Sequence, residues 1–559
     1  MTTMRGATPA SPRQGSSPRP SPRFDAFAGT GALLRFMVRR DRVRLPAWTI
    51  GLSLLMAYFA TALETLAKTP EDLEGLTAFS ESPAGALLGG PGFGFDALTI
   101  EKFLVGQYGL YLLVGAGLMG ILTVTRHTRA EERAGRTELV RAYVAGRHAP
   151  LTAALLLTAL MAVTVAALIT AVLSGRGYDA VGSLLFGAGV GSSALVFAGA
   201  AAITNQVTEY PRAAAGMSGV VLGAAFMLRG LGDMAATQGF GPSWLVWLSP
   251  IGWSQQTAPY VLDRWWPLVA SLLCTAATAA TAYALSTRRD LAAGLLPPRP
   301  GPPHAARWLR GPLSLAFRLQ RAGLIGWSAA LVVAGIGYGS FTQPLLDGFE
   351  DAPEDLVAVL GGAQDMLAGY LGLMGLMMAL IVGVFAVLAV QSLRAEEADG
   401  RTEPVLAAAV SRPAWLGAHL AVTGLAVPWL LLVAGAGTGI GAAASTGDPS
   451  LIGELVVGHL AHTPAVWLVL ALAALLYAAA PPSLPAVWAV LGHAALVAFF
   501  ATVLDIPGVA VRLSPFEHIG AYPSEGVNVL AGLVLTALAT LIATAATACF
   551  RRRDLATAV

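Results

Sequence analysis

The chain has 559 residues, of which 55% are hydrophobic and 12% charged, with a mean hydropathy of +0.65 and a formal net charge of +2. A soluble chain of this length would carry roughly a quarter charged residues, so most side chains here are solvated by lipid, where the backbone must satisfy its own hydrogen bonds. The apolar runs do not alternate as barrel strands do, the arginines form no continuous basic face for a nucleic acid, and two cysteines, Cys274 and Cys549, are too few for a disulfide framework or a metal site.

Taken in chain order, residues 1–30 are rich in Pro, Ser and Arg without apolar periodicity and read as a disordered tail. No apolar core followed by a small-residue cleavage site appears, so a cleaved secretion signal is not expected, and Arg39-Arg40 only superficially resembles a twin-arginine signal. The segment 31–46 alternates apolar and basic residues and suits a helix lying in the headgroup layer; PLSLAFRLQRAG at 312–323 is a shorter version. Stretches of about 20 residues, enough to cross a hydrocarbon core, fall near 47–63, 104–125, 149–173, 181–204, 214–232 and 267–285. Six more fall near 323–342, 367–390, 416–443, 460–480, 484–504 and 528–549, with Pro481, Pro482 and Pro485 forcing a short turn between the tenth and eleventh. The expected fold is therefore an all-α, polytopic membrane protein of about 12 transmembrane helices. The units are a first half, 31–290, a Pro/Arg-rich linker, 291–312, and a second half, 313–559.

Orientation follows from the positive side chains, because cytoplasmic loops carry the Lys/Arg excess. Placing the N-terminus inside puts 29 of the 35 Lys and Arg on the cytoplasmic side, while the outer stretches 64–103 and 343–366 hold seven and six carboxylates. Both termini are expected in the cytoplasm of a bacterial cell. The aromatic stretch 233–266, with Trp244, Trp247, Trp253, Tyr260, Trp265 and Trp266, suits short helices in the outer leaflet, broken by Pro242, Pro250 and Pro259. GGPGFG at 89–94 and GAGVG at 187–191 read as turn and helix-packing sites.

One charged decapeptide occurs twice, as RAEERAGRTE at 129–138 and RAEEADGRTE at 394–403. LSP at 248–250 returns at 513–515, and RRDLA at 288–292 returns at 552–556, in nearly the same register. Three such matches argue for a duplicated unit of six spans. Each decapeptide falls in the loop after the second span of its half. Gly135 and Gly400 permit a sharp change of direction, after which Thr137 and Thr402 are placed to cap a short helix. The charged set is Glu131, Glu132, Arg136 and Glu138 in one copy, and Glu396, Glu397, Arg401 and Glu403 in the other. Mixed charge of this kind favours docking to a protein over anionic lipid.

At these residues the chain resembles the type-2 permeases of ATP-binding-cassette exporters, whose loop after the second span reads roughly E-E-x-x-G-T-x-E, then apolar residues, then a basic one. The counterparts are EERAGRTELVRAYVAGR and EEADGRTEPVLAAAVSR, ending at Arg147 and Arg412. Both carry an Arg before the Thr that the pattern lacks, and the second has Pro404 after the Glu. The fused two-half form is similar to actinobacterial exporters of the tetronasin and polyketide-antibiotic type. The resemblance implies that the elbows are coupling helices for a separate ATPase subunit, in two copies, which holds the ATP and Mg. No Gly-rich loop ending in Lys and Ser or Thr occurs here, so no cofactor is expected in this chain.

The resemblance also implies that the second spans line the path of a hydrophobic small-molecule cargo. They hold Phe103, Tyr108, Tyr111 and Met119 in one half and Met366, Tyr370, Met374, Met377, Met378 and Phe385 in the other. Thioethers and aromatic rings make an adaptable apolar surface, although such residues also pack ordinary helices together. Arg229 and Asp233 can pair or snorkel, and His419, His493 and Asp505 read as satisfied or interfacial groups. The competing class is an ion- or proton-coupled secondary transporter, which is also built from repeats but needs acids within its spans.

Overall fold

A computed structural model describes residues 26–66, 86, 89–143, 145–237, 243–297, 301, 303–343, 346, 363–500 and 506–554, without the side chains of 66, 140–143, 237, 363–366 and 499–500. Residues 1–25 of the expected tail, most of the two acidic stretches, part of the linker, Pro242 and Asp505 lie outside the described residues. Among those described no strand forms, and 12 helices are long and apolar enough to cross a membrane. All twelve fall on the stretches expected from the sequence. Rows of large apolar side chains remain exposed along them, among them Leu54, Val163, Val220, Leu425 and Leu541, as a lipid-facing surface requires.

The first half runs through α1 (Thr30–Arg40), α2 (Arg44–Leu66), α3 (Ile100–Phe103), a π-helical turn (Leu104–Tyr108), α4 (Gly109–His127), α5 (Arg129–Arg133) and α6 (Arg136–Tyr143). It continues with α7 (Ala149–Ser174), α8 (Ala180–Val207), α9 (Pro211–Thr237), α10 (Pro250–Gln255) and α11 (Trp266–Ser286). The second half comprises α12 (Pro312–Gly339), α13 (Ala363–Ala398), α14 (Thr402–Ala407), α15 (Arg412–Thr446), α16 (Ser450–Ala461) and α17 (Thr463–Ala479). A 3-10 turn at Pro481–Ala486 follows, as the prolines demand, then α18 (Val487–Phe500), α19 (Gly508–Val511) and α20 (Val529–Arg552).

Two compact units result: Met1–Ala60, Tyr108–Arg229 and Trp244–Pro298 form one, and Thr61–Gln107, Gly230–Ser243 and Arg299–Val559 the other. In the first, α8 is central, because its small residues let neighbours approach. Gly187 and Gly191 face carbonyls of Ala166 and Ala162 on α7, and Gly120 of α4 faces the Ala194 backbone. The GAGVG stretch is thus a packing site, as expected. In the second unit, Gly335 and Gly339 of α12 lie against Gly437, Thr438 and Ala442 of α15, and Gly437 and Gly441 meet α12 in return. Its core runs through Met378, Phe385, Tyr477, Phe516 and Phe550.

Two local expectations are corrected and a third is narrowed. The segment at 312–323 is no separate surface helix but the continuous first turns of α12, since nothing in it breaks a helix. Pro250 begins α10 rather than ending one, with Ser249 capping it through the Gly252 N–H; proline fits a first turn, whose N–H has no partner. Of the two alternatives for Arg229 and Asp233, pairing or snorkelling, burial goes against the second: each is fully buried, and the Arg229 guanidinium lies over the Phe226 ring at 5.3 Å. The segment before the first span does form a helix, α1, whose Met37 packs with Ala153 and Leu157 of α7, while Phe36 stays exposed.

The close approach of α12 and α15 gives a direct test. Gly339→Leu puts a side chain against Thr438 and Ala442 backbone and should cost about 1–3 kcal/mol, read as a lowered melting temperature in detergent. Gly337→Leu, with nothing within 4 Å, should melt with the parent; equal melting of both variants would show the packing to be looser than described.

Candidate functional site

Each repeated decapeptide folds as an elbow at the end of the second span. The helical path continues through Arg133 in the first half and Ala398 in the second, then turns at Gly135 and Gly400, both at φ +70°. In both turns the glycine N–H donates to the carbonyl three residues back, Glu132 or Glu397, at 3.0 Å. An L side chain is strained at this φ, so glycine is the residue that allows the reversal.

The Arg before the Thr, foreign to the family pattern, closes the turn. Arg136 Nε donates to Glu131 Oε2 at 2.6 Å and its Nη2 to Oε1 at 3.1 Å. Arg401 clasps Glu396 in the same two-pronged way, at 2.8 Å in both bonds. Such forked pairs fix geometry as well as charge. Thr137 and Thr402 are not caps. Thr137 is the second residue of α6 and buried, and Thr402 is the first of α14 with its oxygen buried and unpartnered, neither capping a helix by side chain.

The second glutamate of each copy points back into its own half. Glu132 accepts from Arg289 at 2.9 and 2.7 Å, one bond to each carboxylate oxygen, and from the fully buried Arg129 at 2.8 Å. Arg129 also donates to the Asn205 carbonyl, at 2.9 Å from Nε. Glu397, 6% exposed, accepts from Arg553 at 2.5 Å and from the Tyr477 hydroxyl at 2.7 Å. Arg289 and Arg553 belong to the RRDLA repeat, so two of the three sequence matches form one contact. The repeat's nearly constant register with the decapeptide is the only sequence signal that the two belong together.

The far ends of the loops are tied the same way. Arg147 Nη2 donates to the Ser286 carbonyl at 2.7 Å, and Arg412 Nη1 to the Arg553 carbonyl at 2.6 Å, so each fastens to the end of its sixth span. The first elbow has a further anchor. Arg40 donates to Glu131 at 2.6 Å, and Arg126 holds Asp41 through two bonds of 2.8 and 2.9 Å. Burial works against the Asp41 charge, but the Arg126 hydrogen bond and nearby positive groups outweigh it and hold the carboxyl below its usual range. With its pKa lowered by folding, this group stabilises fully at neutral pH and stops doing so as pH falls through the lowered value.

What remains outward is a mixed face. Arg136, Glu138 and Leu139 are exposed on the first elbow, Arg401 and Glu403 on the second. Behind the first elbow lies a cavity of about 280 Å³ whose lining includes Glu132, Thr137, Arg147, Gln206 and Arg289.

Of the expected cargo-path residues, Phe103, Met119, Met374, Met378 and Phe385 are buried. Phe103 lies by Phe95 at 5.9 Å and Phe385 edge-on to Trp327 at 5.9 Å. Tyr108 stacks on Phe59 at 4.8 Å, Tyr111 is 46% exposed, Tyr370 donates to the Tyr338 carbonyl at 2.8 Å, and Met377 is half-buried; the Met366 side chain is outside the description. None lines the cavity above or a second, apolar one of about 250 Å³ beside Trp467 and Thr540. His493 bonds the Ala510 carbonyl at 2.9 Å, the satisfied role expected of it, and the buried His419 packs on Trp415 at 5.0 Å.

A family model described as the C-terminal domain of the multidrug efflux system permease Rv1217c matches residues 32–285 and 309–551. The chain is also 34% identical over 541 residues to the multidrug efflux system permease protein Rv1217c of Mycobacterium tuberculosis (strain ATCC 25618 / H37Rv), covering 95% of this chain and 96% of that protein.

Removing one partner of a buried pair strands the other. Arg553→Met should therefore cost about 3 kcal/mol, Tyr477→Phe about 1 kcal/mol, and Glu397→Gln together with Arg553→Met should recover part of the loss. Unfolding in detergent measures all three; a double variant no more stable than Arg553→Met would deny the pairing its role.

Proposed function

Because the chain belongs to the family of the multidrug efflux system permease Rv1217c, we propose that it is the permease subunit of an ATP-driven exporter, coupled through its two elbows to a separate ATP-binding-cassette ATPase. The observation that carries the reading is that the two copies of the repeated decapeptide keep one construction although the residues packed behind them differ. Both turn on a glycine at φ +70°, both clasp a glutamate across the turn, and both fasten a second glutamate to the arginine ending the sixth span. A loop that only joined two helices would need a few polar residues. One held from behind, with Arg136, Glu138, Leu139 and Glu403 outward, offers a partner a firm surface of mixed charge.

In this reading Glu132 and Glu397 position the elbow, while the exposed residues meet the partner. Two equivalent elbows ask for two copies of the ATPase, and the Lys/Arg distribution puts elbows and termini in the cytoplasm. ATP and Mg belong to the partner, since no phosphate-binding loop occurs in this sequence. The cargo is a hydrophobic antibiotic or similar amphiphile, taken along the second spans where Tyr111 is exposed and Tyr108, Met377 and Tyr370 are half-buried. The two halves are six-span repeats joined by the segment 291–312.

Charge reversal tests the docking. Glu138→Lys with Glu403→Lys should leave the melting temperature unchanged and lower cellular drug efflux by about tenfold or more, with the ATPase no longer co-purifying. Full efflux and an intact complex in that double variant would refute the docking; efflux by the purified chain alone, driven by an ion gradient, would favour a secondary transporter.

A further inference from the structure

We infer that the cavity behind the first elbow is a binding site for an amine-bearing phosphodiester headgroup, that of phosphatidylethanolamine. The two halves differ at this place. Three residues before the brace arginine stands Ser286 in the first half and Phe550 in the second; three residues after the loop-closing arginine stands Pro150 or Trp415. Phe550 stacks on Trp415 at 5.5 Å and lies tilted against Tyr477 at 5.7 Å, and Arg553 lies over both Tyr477 and Phe550 at 5.1 and 5.2 Å. The second half thus fills the space with its own rings. The first lines it with Pro150, Gln206 and Ser286 and leaves a partly open cavity of about 280 Å³.

The depth and the charges select the occupant. Every span that lines the cavity does so with its terminal turn: α7 begins at Ala149, α8 ends at Val207 and α11 ends at Ser286. That is the level of lipid headgroups for a chain spanning the bilayer. The charged lining is balanced, with Arg147 and Arg289 against Glu132 and Asp290. Glu132 and Arg289 are engaged with each other, and Arg289 Nε is bonded to Gln206 at 2.7 Å. The exposed Arg147 uses its Nη2 on backbone carbonyls, so its remaining N–H groups and the exposed Asp290 carboxylate, both in the lining, offer one positive and one negative group to a ligand. A phosphodiester on Arg147 and an ammonium on Asp290 satisfy both; an anionic headgroup alone would leave Asp290 opposed, and a choline group has no N–H to donate.

The assignment rests on the membrane-spanning fold and not on ATPase docking, so either can fail alone. The test uses the full chain in nanodiscs and native mass spectrometry after exchange into phosphatidylethanolamine, phosphatidylglycerol or phosphatidylcholine. We expect one phosphatidylethanolamine retained per chain, and the other two retained about tenfold less. Ser286→Phe with Pro150→Trp imports the second half's plug, and Asp290→Asn removes the ammonium partner without changing volume or brace; each should lower retention about tenfold. Asp290→Asn stands as the test even where the plugged variant does not fold. Competition by free phosphoethanolamine would identify the headgroup alone as sufficient, with soluble zwitterions as a second source; its failure to compete would show that the acyl tails are needed, and both results uphold the site. Retention indifferent to headgroup, or unchanged in Asp290→Asn, would overturn it and leave water as the filling.

Discussion

The pairing of a loop carboxylate with the guanidinium at the end of the sixth span of its own half, Glu132 with Arg289 and Glu397 with Arg553, is the contact on which the elbows depend. Lipid forces every span to be a helix but says nothing about how a charged loop should stand at its end. A glycine turn alone would leave the short helix free to swing. The brace fixes it, because a buried carboxylate without its cation is far costlier than an exposed one. Each elbow is therefore part of the body of its half and not an appendage of one span.

The two elbows reach this end by different means. In the first, Arg129, Asn205, Gln206 and Arg289 make a polar cluster, and α1 adds Arg40 and Asp41 from the N-terminal side. In the second, Tyr477, Phe550 and Trp415 surround the same pair with rings. A polar cluster can keep its hydrogen bonds only in one arrangement, while an aromatic stack excludes water and strengthens the pair it surrounds. The outward faces are alike; the supports are not.

Much of this was legible in the sequence. The twelve spans follow from apolar runs of the right length, because lipid leaves no other structure open to them, and the proline turn after Ala479 and the reversals at Gly135 and Gly400 follow from backbone chemistry. The duplication was readable from three short matches. What could not be read was which partner each carboxylate finds, since charge sequence alone does not say: that the additional arginine reaches back five residues to Glu131 or Glu396, and that RRDLA, more than 150 residues on, meets the elbow. Thr137 and Thr402 misled because a threonine at a helix start is a common cap, whereas here each already lies within the first turn of its short helix. The candidate cargo residues were read from type and spacing, which do not distinguish a lining side chain from a packed one; Met119 and Met378 are fully buried.

Both braces close on residues of the half that contains them. A gene duplication that produces copies of this kind makes neither hostage to the other. After doubling, the copies were at liberty to differ around their ion pairs, proline and serine in one standing where the other has tryptophan and phenylalanine, with no compensating change demanded in the sibling. Divergence of the interior behind a conserved outline is what such independence permits.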